Sequence, residues 1–306
     1  MFLWLISIGL HAKQASPFIP PPKTESHVHI EQKDYHGWKS AYRVWNDTVE
    51  IVIVPQLGRV MRYAYLNGDN LLWENASIVP GSKPQGADWT NYGGDKVWVA
   101  PQSNDTWPPD RKVDPGPYSV ERLANGLRLT NPPDSKFQVR ISRDIVLADY
   151  GSKVSFTNRL QNLGPPRKLC PWQVTQIDNP ELVILPIRST GYQPHGYYDY
   201  GNSSLTQLQD LRVDSLWLKR DPSQSRKFGA TGVTGELQAV KHSTVIHVVQ
   251  SNSLSALYPD RNSAQQVYLS SDPNAYVELE QLGPLANLQT HEVTIQKVVW
   301  SLSQKL

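Results

Sequence analysis

Residues 137–147 read FQVRISRDIVL, and the alternation in this stretch decides the fold class. Its apolar side chains share one face, namely Phe137, Val139, Ile141, Ile145 and Leu147. Polar side chains fill the other face. Successive side chains of a β-strand point to opposite faces, so the pattern predicts a strand with one buried face. Arg143 interrupts the pattern because it falls on the apolar face.

Strand patterns continue along most of the chain. Short β-branched or alternating segments occur at 49–55, 60–66, 154–160, 170–176, 182–187, 243–249, 265–270 and 275–282. The last segment, HEVTIQKVVWSL (291–302), switches phase at Lys297, which predicts a β-bulge. Residues 203–218 have leucines near helical spacing but no clean cap, so they fit a helix or a loop followed by a strand.

The chain therefore reads as all-β, with few or no helices. No repeat and no Gly/Ser linker divides it, so residues 39–306 are predicted to form a single domain. So many strands are too many for one small sandwich, and a large antiparallel β-sandwich of two sheets fits better.

The N-terminus suggests export. Residues 2–10, FLWLISIGL, form an apolar run that is too short to span a bilayer. The run resembles the central part of a secretory signal, so residues 1–15 are predicted to be a signal peptide of a periplasmic or extracellular protein. A miscalled start or a hydrophobic N-terminal strand, with a cytoplasmic location, is the alternative. Residues 16–38 are predicted to be an extended lead-in.

Composition argues against several functional classes. The net charge is only +2 and no basic run occurs, so we expect no nucleic-acid partner and no anionic membrane surface. The sequence has no Cys/His zinc spacing, nucleotide loop or hydrolase motif, so it predicts no metal and no cofactor. The chain has 10 Trp and 14 Tyr against 5 Phe. Rings with a polar edge suit sugar binding as well as ordinary β-sheet cores.

The segment WTNYGGDKVWVAPQ (89–102) is the first candidate site. It lies in a stretch of about 38 residues with little strand pattern, and connections of that length are usually functional or disordered. Gly93 and Gly94 permit backbone angles that can aim Asp95 and Lys96 sharply. One interpretation is a rigid loop in which Asp95 and Lys96 pair with each other.

The other interpretation of this segment is the wall of a sugar pocket. Trp98 and Trp107 would stack on the ligand, and polar side chains would bond its hydroxyls, namely Asn91, Asp95, Lys96 and Gln102.

Two further segments carry polar groups at strand period. Glu278 and Glu280, in YVELEQLGP, fall on one face, roughly 6.6 Å apart at the backbone. Like charges this close raise one pKa, which suits proton transfer, although a solvated strand face is the alternative. In CPWQVTQ (170–176), uncharged amides stand beside Trp172, namely Gln173 and Gln176. They suit a hydroxyl-rich ligand or ordinary cross-strand pairing.

Three segments together resemble a known family. They are VPQLGRVMRYAYLNGDNLLWEN (54–75), WTNYGGDKVWVAPQ with the following WPPD (107–110), and YVELEQLGPLANLQTHEVTIQKVVWSL (276–302). The chain resembles the family called domain of unknown function 4380, which is placed with galactose-mutarotase-like folds. The likeness runs from about Val49 to Leu302. It implies a β-supersandwich with a mono- or oligosaccharide site on one concave sheet.

The resemblance also implies roles for individual residues. Aldose mutarotases of this fold use a His as general acid on the ring oxygen, and a late Glu takes the anomeric hydroxyl proton. Glu278 or Glu280 lies near the place of that Glu, and Arg59 in LGRV resembles a sugar-binding Arg. The strand where the His is expected reads CPWQVTQ, so no His carries over.

Two classes of function follow. The first is a sugar epimerase or mutarotase variant, with Glu280 as base, Glu278 in support, and Lys96 or Asp95 as acid. The second is a non-catalytic carbohydrate-binding protein with the same binding residues; an exported structural protein is a third. The enzyme hypothesis predicts that Glu278 or Glu280 shares one pocket with Asp95 or Lys96.

Overall fold

The computed structural model describes residues 26–80, 89–102, 108–201, 204–231, 234–253, 255–271, 273 and 275–305. Within these ranges the chain is nearly all strand, and its one helical element is a four-residue turn, Pro259–Asn262. The prediction of an all-β antiparallel sandwich is confirmed. The predicted signal segment, residues 1–15, lies outside the described ranges. No helix in the described ranges is long and apolar enough to cross a membrane.

The strands are numbered in chain order. The first ten are β1 (His29–Tyr35), β2 (Trp38–Trp45), β3 (Val49–Val54), β4 (Arg59–Tyr65), β5 (Asp95–Ala100), β6 (Ser119–Leu123), β7 (Gly126–Thr130), β8 (Val139–Leu147), β9 (Val154–Asn162) and β10 (Arg167–Asp178). The others are β11 (Leu182–Pro186), β12 (Tyr198–Asp199), β13 (Gln209–Leu211), β14 (Ser215–Leu218), β15 (Arg226–Ala230), β16 (Glu236–Lys241), β17 (Thr244–Gln250), β18 (Gln265–Leu269), β19 (Tyr276–Leu282), β20 (Ala286–Leu288) and β21 (Val293–Gln304).

These strands form two antiparallel sheets. The front sheet has 11 strands in the order β1-β2-β3-β4-β5-β10-β19-β18-β15-β12, with β20 paired to β10. The back sheet has 10 strands in the order β13-β14-β11-β16-β17-β21-β9-β8-β7-β6. Strands distant in sequence are therefore neighbours at the centre of the front sheet, where β5, β10 and β19 lie side by side.

The space between the sheets holds two apolar clusters and a polar layer. The larger cluster contains Ile51, Phe156 and Trp300, and the smaller contains Val97 and Ile141. Eight buried polar residues form the inter-sheet polar layer, namely Asp95, Arg143, Asn158, Gln173, Thr175, Gln250, Gln281 and Gln296. Their hydrogen bonds join the two sheets side chain to side chain.

This polar layer explains two irregularities of the sequence pattern. Arg143 sits on the buried face of β8 because its guanidinium pairs with the carboxylate of Asp95 across the sheets. The bulge predicted at Lys297 is wrong, since β21 pairs with β9 and β17 without a register shift. The phase changes because Ile295 points outward, 51% exposed, while Gln296 points into the polar layer.

Two predictions about the outer segments are also resolved. Residues 203–218 contain two strands after a loop, β13 and β14, so the loop-and-strand alternative is the one observed. Within the predicted lead-in at 16–38, residues 29–35 form a strand of the front sheet, because β1 pairs with β2.

Candidate functional site

Strand register gathers the candidate side chains on the outer face of the front sheet. Trp98 of β5 is directly opposite Trp172 of β10. Val174 of β10 is opposite Lys96 on one side and Glu280 on the other. Cross-strand partners point to the same face, so these side chains all face away from the back sheet. Gln176 and Glu278 form the next such pair toward the end of β10.

A pocket of about 270 Å³ opens on this outer face; we call it the central pocket. It is lined by Trp89, Trp98, Gln102, Trp172, Lys227, Tyr268, Tyr276 and Glu278. Aromatic walls with a few charged groups at the floor are typical of sites for small polar ligands.

Glu278 lines the floor of the central pocket, and Lys96 lies directly behind it. Nζ of Lys96 lies 3.5 Å from Oε1 of Glu278 and 4.6 Å from the centre of the Trp98 ring. The Lys96 side chain is almost fully buried, and its Nζ has no hydrogen-bond partner among the residues that the structure describes. Burial lowers the pKa of Lys96 to about 8, with the charge of Glu278 acting in the opposite direction. The ammonium is therefore held by the charge of Glu278 and by the face of the Trp98 ring.

Glu280 lies beside this floor without reaching solvent. Its Oε2 accepts hydrogen bonds from Trp172 Nε1 at 2.8 Å and from Lys227 Nζ at 3.0 Å, while no residue in the described ranges bonds to Oε1. Burial raises the pKa of Glu280 to about 7; the charge of Lys227 opposes that rise and the charge of Glu278 adds to it. The sequence attributes a raised pKa to the like charges of the two carboxylates, whereas the first cause at Glu280 is its burial and the charge of Glu278 is a smaller one.

The aromatic wall is held from below by Asp114. Trp98 packs edge to face on Trp172 and on Trp89, with ring centres 5.2 and 5.8 Å apart. Oδ2 of Asp114 accepts hydrogen bonds from the indole nitrogens of Trp89 and Trp98, each at 2.9 Å. Its Oδ1 accepts from the guanidinium of Arg59. Asp114 is buried, so one carboxylate fixes two rings of the pocket wall.

The Gly-Gly step sets the start of β5 against its neighbours. Gly93 and Gly94 both have positive φ, and a Cβ on Gly93 would lie 2.2 Å from the carbonyl oxygen of Trp73. The amide of Gly94 donates to that same oxygen at 2.8 Å. Only glycine allows the chain to pass this close to residue 73 and then enter the strand.

Five of the predicted site residues meet at the central pocket. Trp98, Gln102, Trp172 and Glu278 line it, and Lys96 contacts Glu278 behind its floor. Gln176 supports it from the side, because its Nε2 donates to Oε1 of Glu278 at 2.9 Å. Trp107 lies outside the described ranges.

Other predicted residues lie elsewhere. Asp95 and Gln173 point to the opposite face of the sheet and belong to the inter-sheet polar layer, where Gln173 donates to Asp95 at 2.9 Å. Asp95 and Lys96 therefore do not pair, since adjacent strand residues face opposite ways. Arg59 is fully buried beneath the wall, and Asn91 accepts a bond from the amide of Gly93 in the turn.

Three residues of the site, Lys227, Tyr268 and Asp114, carry no signal in the sequence pattern. Lys227 and Tyr268 are opposite each other on β15 and β18, and they enter the site only through the order of strands in the front sheet. Asp114 lies in a loop whose sequence carries no motif. No cluster of three or more metal-ligating side chains is present in the ranges that the structure describes.

Solved structures of similar fold belong to mutarotase-like proteins. A galactose mutarotase-like protein from Lactobacillus casei aligns over 86% of this chain and 100% of its own, at 11% identity and a TM-score of 0.56. A galactose mutarotase related enzyme from Lactobacillus acidophilus aligns over 87% and 100%, at 11% identity and a TM-score of 0.56. A galactose mutarotase-like protein from Clostridium acetobutylicum aligns over 92% and 99%, at 9% identity and a TM-score of 0.55.

The chain therefore has the galactose-mutarotase-like fold. At such low identity the likeness concerns the fold alone. No protein-family profile matches the chain, and no curated protein matches it. The finer resemblance to domain of unknown function 4380 stays a prediction.

Proposed function

We propose that the protein binds a saccharide in the central pocket and interconverts its anomers. The observation that carries the proposal is the Lys96–Glu278 contact of 3.5 Å at the floor of an aromatic pocket. A proton donor and a proton acceptor are thus adjacent at one end of a space walled by indole rings. The anomeric hydroxyl oxygen and the ring oxygen of a sugar are both bonded to the anomeric carbon, so the proton acceptor and the proton donor also have to be adjacent.

The reaction needs one proton to leave and one to arrive. The Glu278 carboxylate takes the proton of the anomeric hydroxyl, whose oxygen becomes the aldehyde oxygen. The bond between the anomeric carbon and the ring oxygen breaks, and its electron pair goes to the ring oxygen, which takes a proton from the Lys96 ammonium. Rotation about the bond from the aldehyde carbon to its neighbour, followed by the reverse transfers, closes the ring as the other anomer.

Glu278 suits the role of base better than Glu280 in this arrangement. Glu278 lines the central pocket, whereas Glu280 does not, and the Oε2 of Glu280 is already held by hydrogen bonds from Trp172 and Lys227. The sequence hypothesis gave the base to Glu280 with Glu278 in support. The proposal exchanges these roles and leaves Glu280 to position Lys227 and Trp172 at the pocket wall.

The finer family resemblance and the export of the protein belong to the same proposal. The resemblance to domain of unknown function 4380 supports a sugar ligand, because that family is placed with mutarotase-like folds. Residues 2–10, outside the described ranges, support export of the chain.

The experiment is NMR on the protein with a panel of aldoses. Saturation transfer reports binding, and exchange between the two anomeric proton signals reports turnover in the same tube. We expect the wild type to exchange the anomers faster than they exchange without protein. The catalysed exchange rate should fall by about 10²–10⁴-fold in Glu278→Gln and in Lys96→Met. Glu31→Gln, which removes an exposed carboxylate from β1, is the matched control and should exchange like the wild type.

A non-catalytic carbohydrate-binding protein is the second candidate. Its support is that no histidine lines the described central pocket, although the resemblance implies one in mutarotases. Saturation transfer with unchanged anomer exchange would select this candidate. Absence of any sugar binding at millimolar concentration would overturn both.

A further inference from the structure

A second pocket, which we call the side pocket, opens beside β2 and β4. Its volume is about 350 Å³, larger than that of the central pocket. Its walls include Trp38, Met61, Ile78 and Tyr92, and its rim carries His36 and Glu74. None of these residues takes part in the proposed reaction.

Both pockets lie on the same face of the front sheet. Val60 of β4 is opposite Asp95 of β5, and Asp95 points toward the back sheet. The residues on either side of Val60, Arg59 and Met61, therefore point outward with Lys96 and Trp98. Met61 lines the side pocket, so the two pockets open on the same outer face of the front sheet.

A line of side-chain contacts runs between the two pockets. The guanidinium of Arg59 lies 5.6 Å from the centre of the Tyr92 ring, which lines the side pocket. Arg59 pairs with Asp114, which holds the indoles of Trp89 and Trp98 in the central pocket. Arg59 and Tyr92 are buried within this partition, so a ligand that reaches both pockets has to pass over it.

The side pocket has the chemistry of a sugar subsite. Trp38 and Tyr92 meet edge to face with ring centres 5.9 Å apart, and Trp38 is partly exposed. Glu74 is fixed in place: its Oε1 accepts from Tyr35 and from Asn70, and its Oε2 lies 3.0 Å from Nδ1 of His36.

Polar groups of the side pocket remain within reach of a ligand. The other ring nitrogen of His36 is turned away from Glu74, and its side chain is 66% exposed. A flat apolar ring beside a rigid carboxylate and an imidazole can stack on a sugar and bond its hydroxyls.

We propose that the side pocket binds a further sugar unit of the same molecule, so that the ligand is an oligosaccharide. This inference rests on the proposed function. β3, at the middle of the side pocket, and β19, in the central pocket, are four strand spacings apart, roughly 19 Å. One sugar ring cannot span that distance, whereas a short chain of sugars crossing the Arg59–Asp114 partition can.

The test measures binding against ligand length. Wild type, Trp38→Ala and Trp45→Ala are applied to an array of mono- to hexasaccharides, and the strongest ligand series is measured by calorimetry. Trp45 is the matched control, because it lies on the same strand and packs against Arg43 and His29 rather than in either pocket. We expect the longer wild-type ligands to bind at least about tenfold tighter than their monosaccharide, at one ligand per protein.

The variants separate the inference from the proposed function. Trp38→Ala should reduce the longer ligands to the affinity of the monosaccharide, and Trp45→Ala should change nothing. If Trp38→Ala fails to fold, His36→Asn takes its place, because asparagine tolerates the positive φ at this turn. His36→Asn should weaken the binding of the longer ligands only.

Three results would overturn the inference while monosaccharide binding stands. The first is equal affinity for ligands of every length. The second is a tighter binding of longer ligands that persists in both Trp38→Ala and His36→Asn. The third is a stoichiometry of two ligands per protein. Failure of every saccharide on the array would instead overturn the proposed function itself.

Discussion

At the residue scale, the site depends on charges whose protonation is set by burial. Lys96 and Glu280 have pKa values moved toward neutrality from opposite directions, to about 8 and about 7, chiefly because both side chains are buried. Strand alternation in the sequence placed Glu278 and Glu280 on one face of β19, as observed, but it predicted no strand at Lys96, which lies on β5. It could not show that Glu278 reaches the pocket while Glu280 does not, because Lys227 and Trp172, which hold Glu280, come from other strands.

The raised pKa of Glu280 predicts a pH-dependent stability. The folded protein binds this proton up to pH of about 7, while the unfolded chain releases it near the ordinary value of 4.5. The stabilisation from Glu280 is therefore full below pH 4.5 and is lost as the pH rises to 7. Relative to Glu280→Gln, the free energy of unfolding of the wild type should fall by about 2–3 kcal/mol between pH 5 and 8.

Urea denaturation of both proteins across this pH range measures the difference. Glu31→Gln serves as the control, since that carboxylate lies on the exposed face of β1 and its removal should leave the pH profile parallel to the wild type. A parallel profile for Glu280→Gln as well would show that burial does not raise this pKa.

Asp114 predicts a second effect at this scale. Its loss leaves the guanidinium of Arg59 buried without its carboxylate and takes the acceptor from two indole nitrogens. Removing one partner of a buried pair is strongly destabilising, so Asp114→Ala should lower the free energy of unfolding by about 3–5 kcal/mol. Chemical denaturation followed by tryptophan fluorescence measures this loss.

The matched control for Asp114 is Asp210→Ala. Asp210 pairs with Arg212 on the surface, 3.1 Å apart, and its loss should cost less than about 1 kcal/mol. Equal losses in the two variants would contradict the role given to Asp114.

At the element scale, β5 is positioned by the glycines before it. A Cβ on Gly94 would lie 2.4 Å from the carbonyl oxygen of Val60, whereas a Cβ on Gly151 would meet nothing within 4 Å. The two residues have nearly the same φ, +69° and +71°, so substitution imposes the same backbone strain on each. Gly94→Ala should therefore be about 1–3 kcal/mol more destabilising than Gly151→Ala, the additional loss coming from the clash with β4.

Thermal unfolding of the two alanine variants tests this prediction directly. A further expectation is that Gly94→Ala weakens saccharide binding, because Lys96 and Trp98 follow on the same strand. If both variants lose the same stability, positive φ alone explains the glycines, and the contact with β4 has no energetic role.

Elements were predictable wherever one face is apolar and the other polar. That holds for β8, whose alternation appears directly in residues 137–147. It fails for β21, whose buried face carries polar Gln296 followed by apolar Val298 and Trp300. The face begins polar because the inter-sheet polar layer lies against that end of the strand. A sequence pattern that assumes an apolar interior interprets such a strand as bulged.

At the scale of the whole molecule, order along the chain differs from order in the sheets. The site uses β5, β10, β15, β18 and β19, which are adjacent in space but span residues 95 to 282. Strand patterns in the sequence indicated the outward side chains of β10 and β19 but not those of β5 and β15, and they could not show which strands are neighbours. The patterns predicted a large sandwich of two sheets, and the family resemblance implied a site on one of them.

The inter-sheet polar layer predicts the last effect, on the stability of the whole sandwich. Arg143 of the back sheet pairs with Asp95 of the front sheet, and neither side chain is exposed. Arg143→Leu leaves the Asp95 carboxylate buried without its counter-charge and should lower the free energy of unfolding by about 3–5 kcal/mol.

Adding Asp95→Asn removes that charge and keeps an oxygen that can accept from Gln173 and Thr175. The double variant should therefore be more stable than Arg143→Leu alone, and urea denaturation of the single and double variants measures the coupling. A double variant less stable than Arg143→Leu would show that Asp95 stabilises the layer through its hydrogen bonds rather than through its charge.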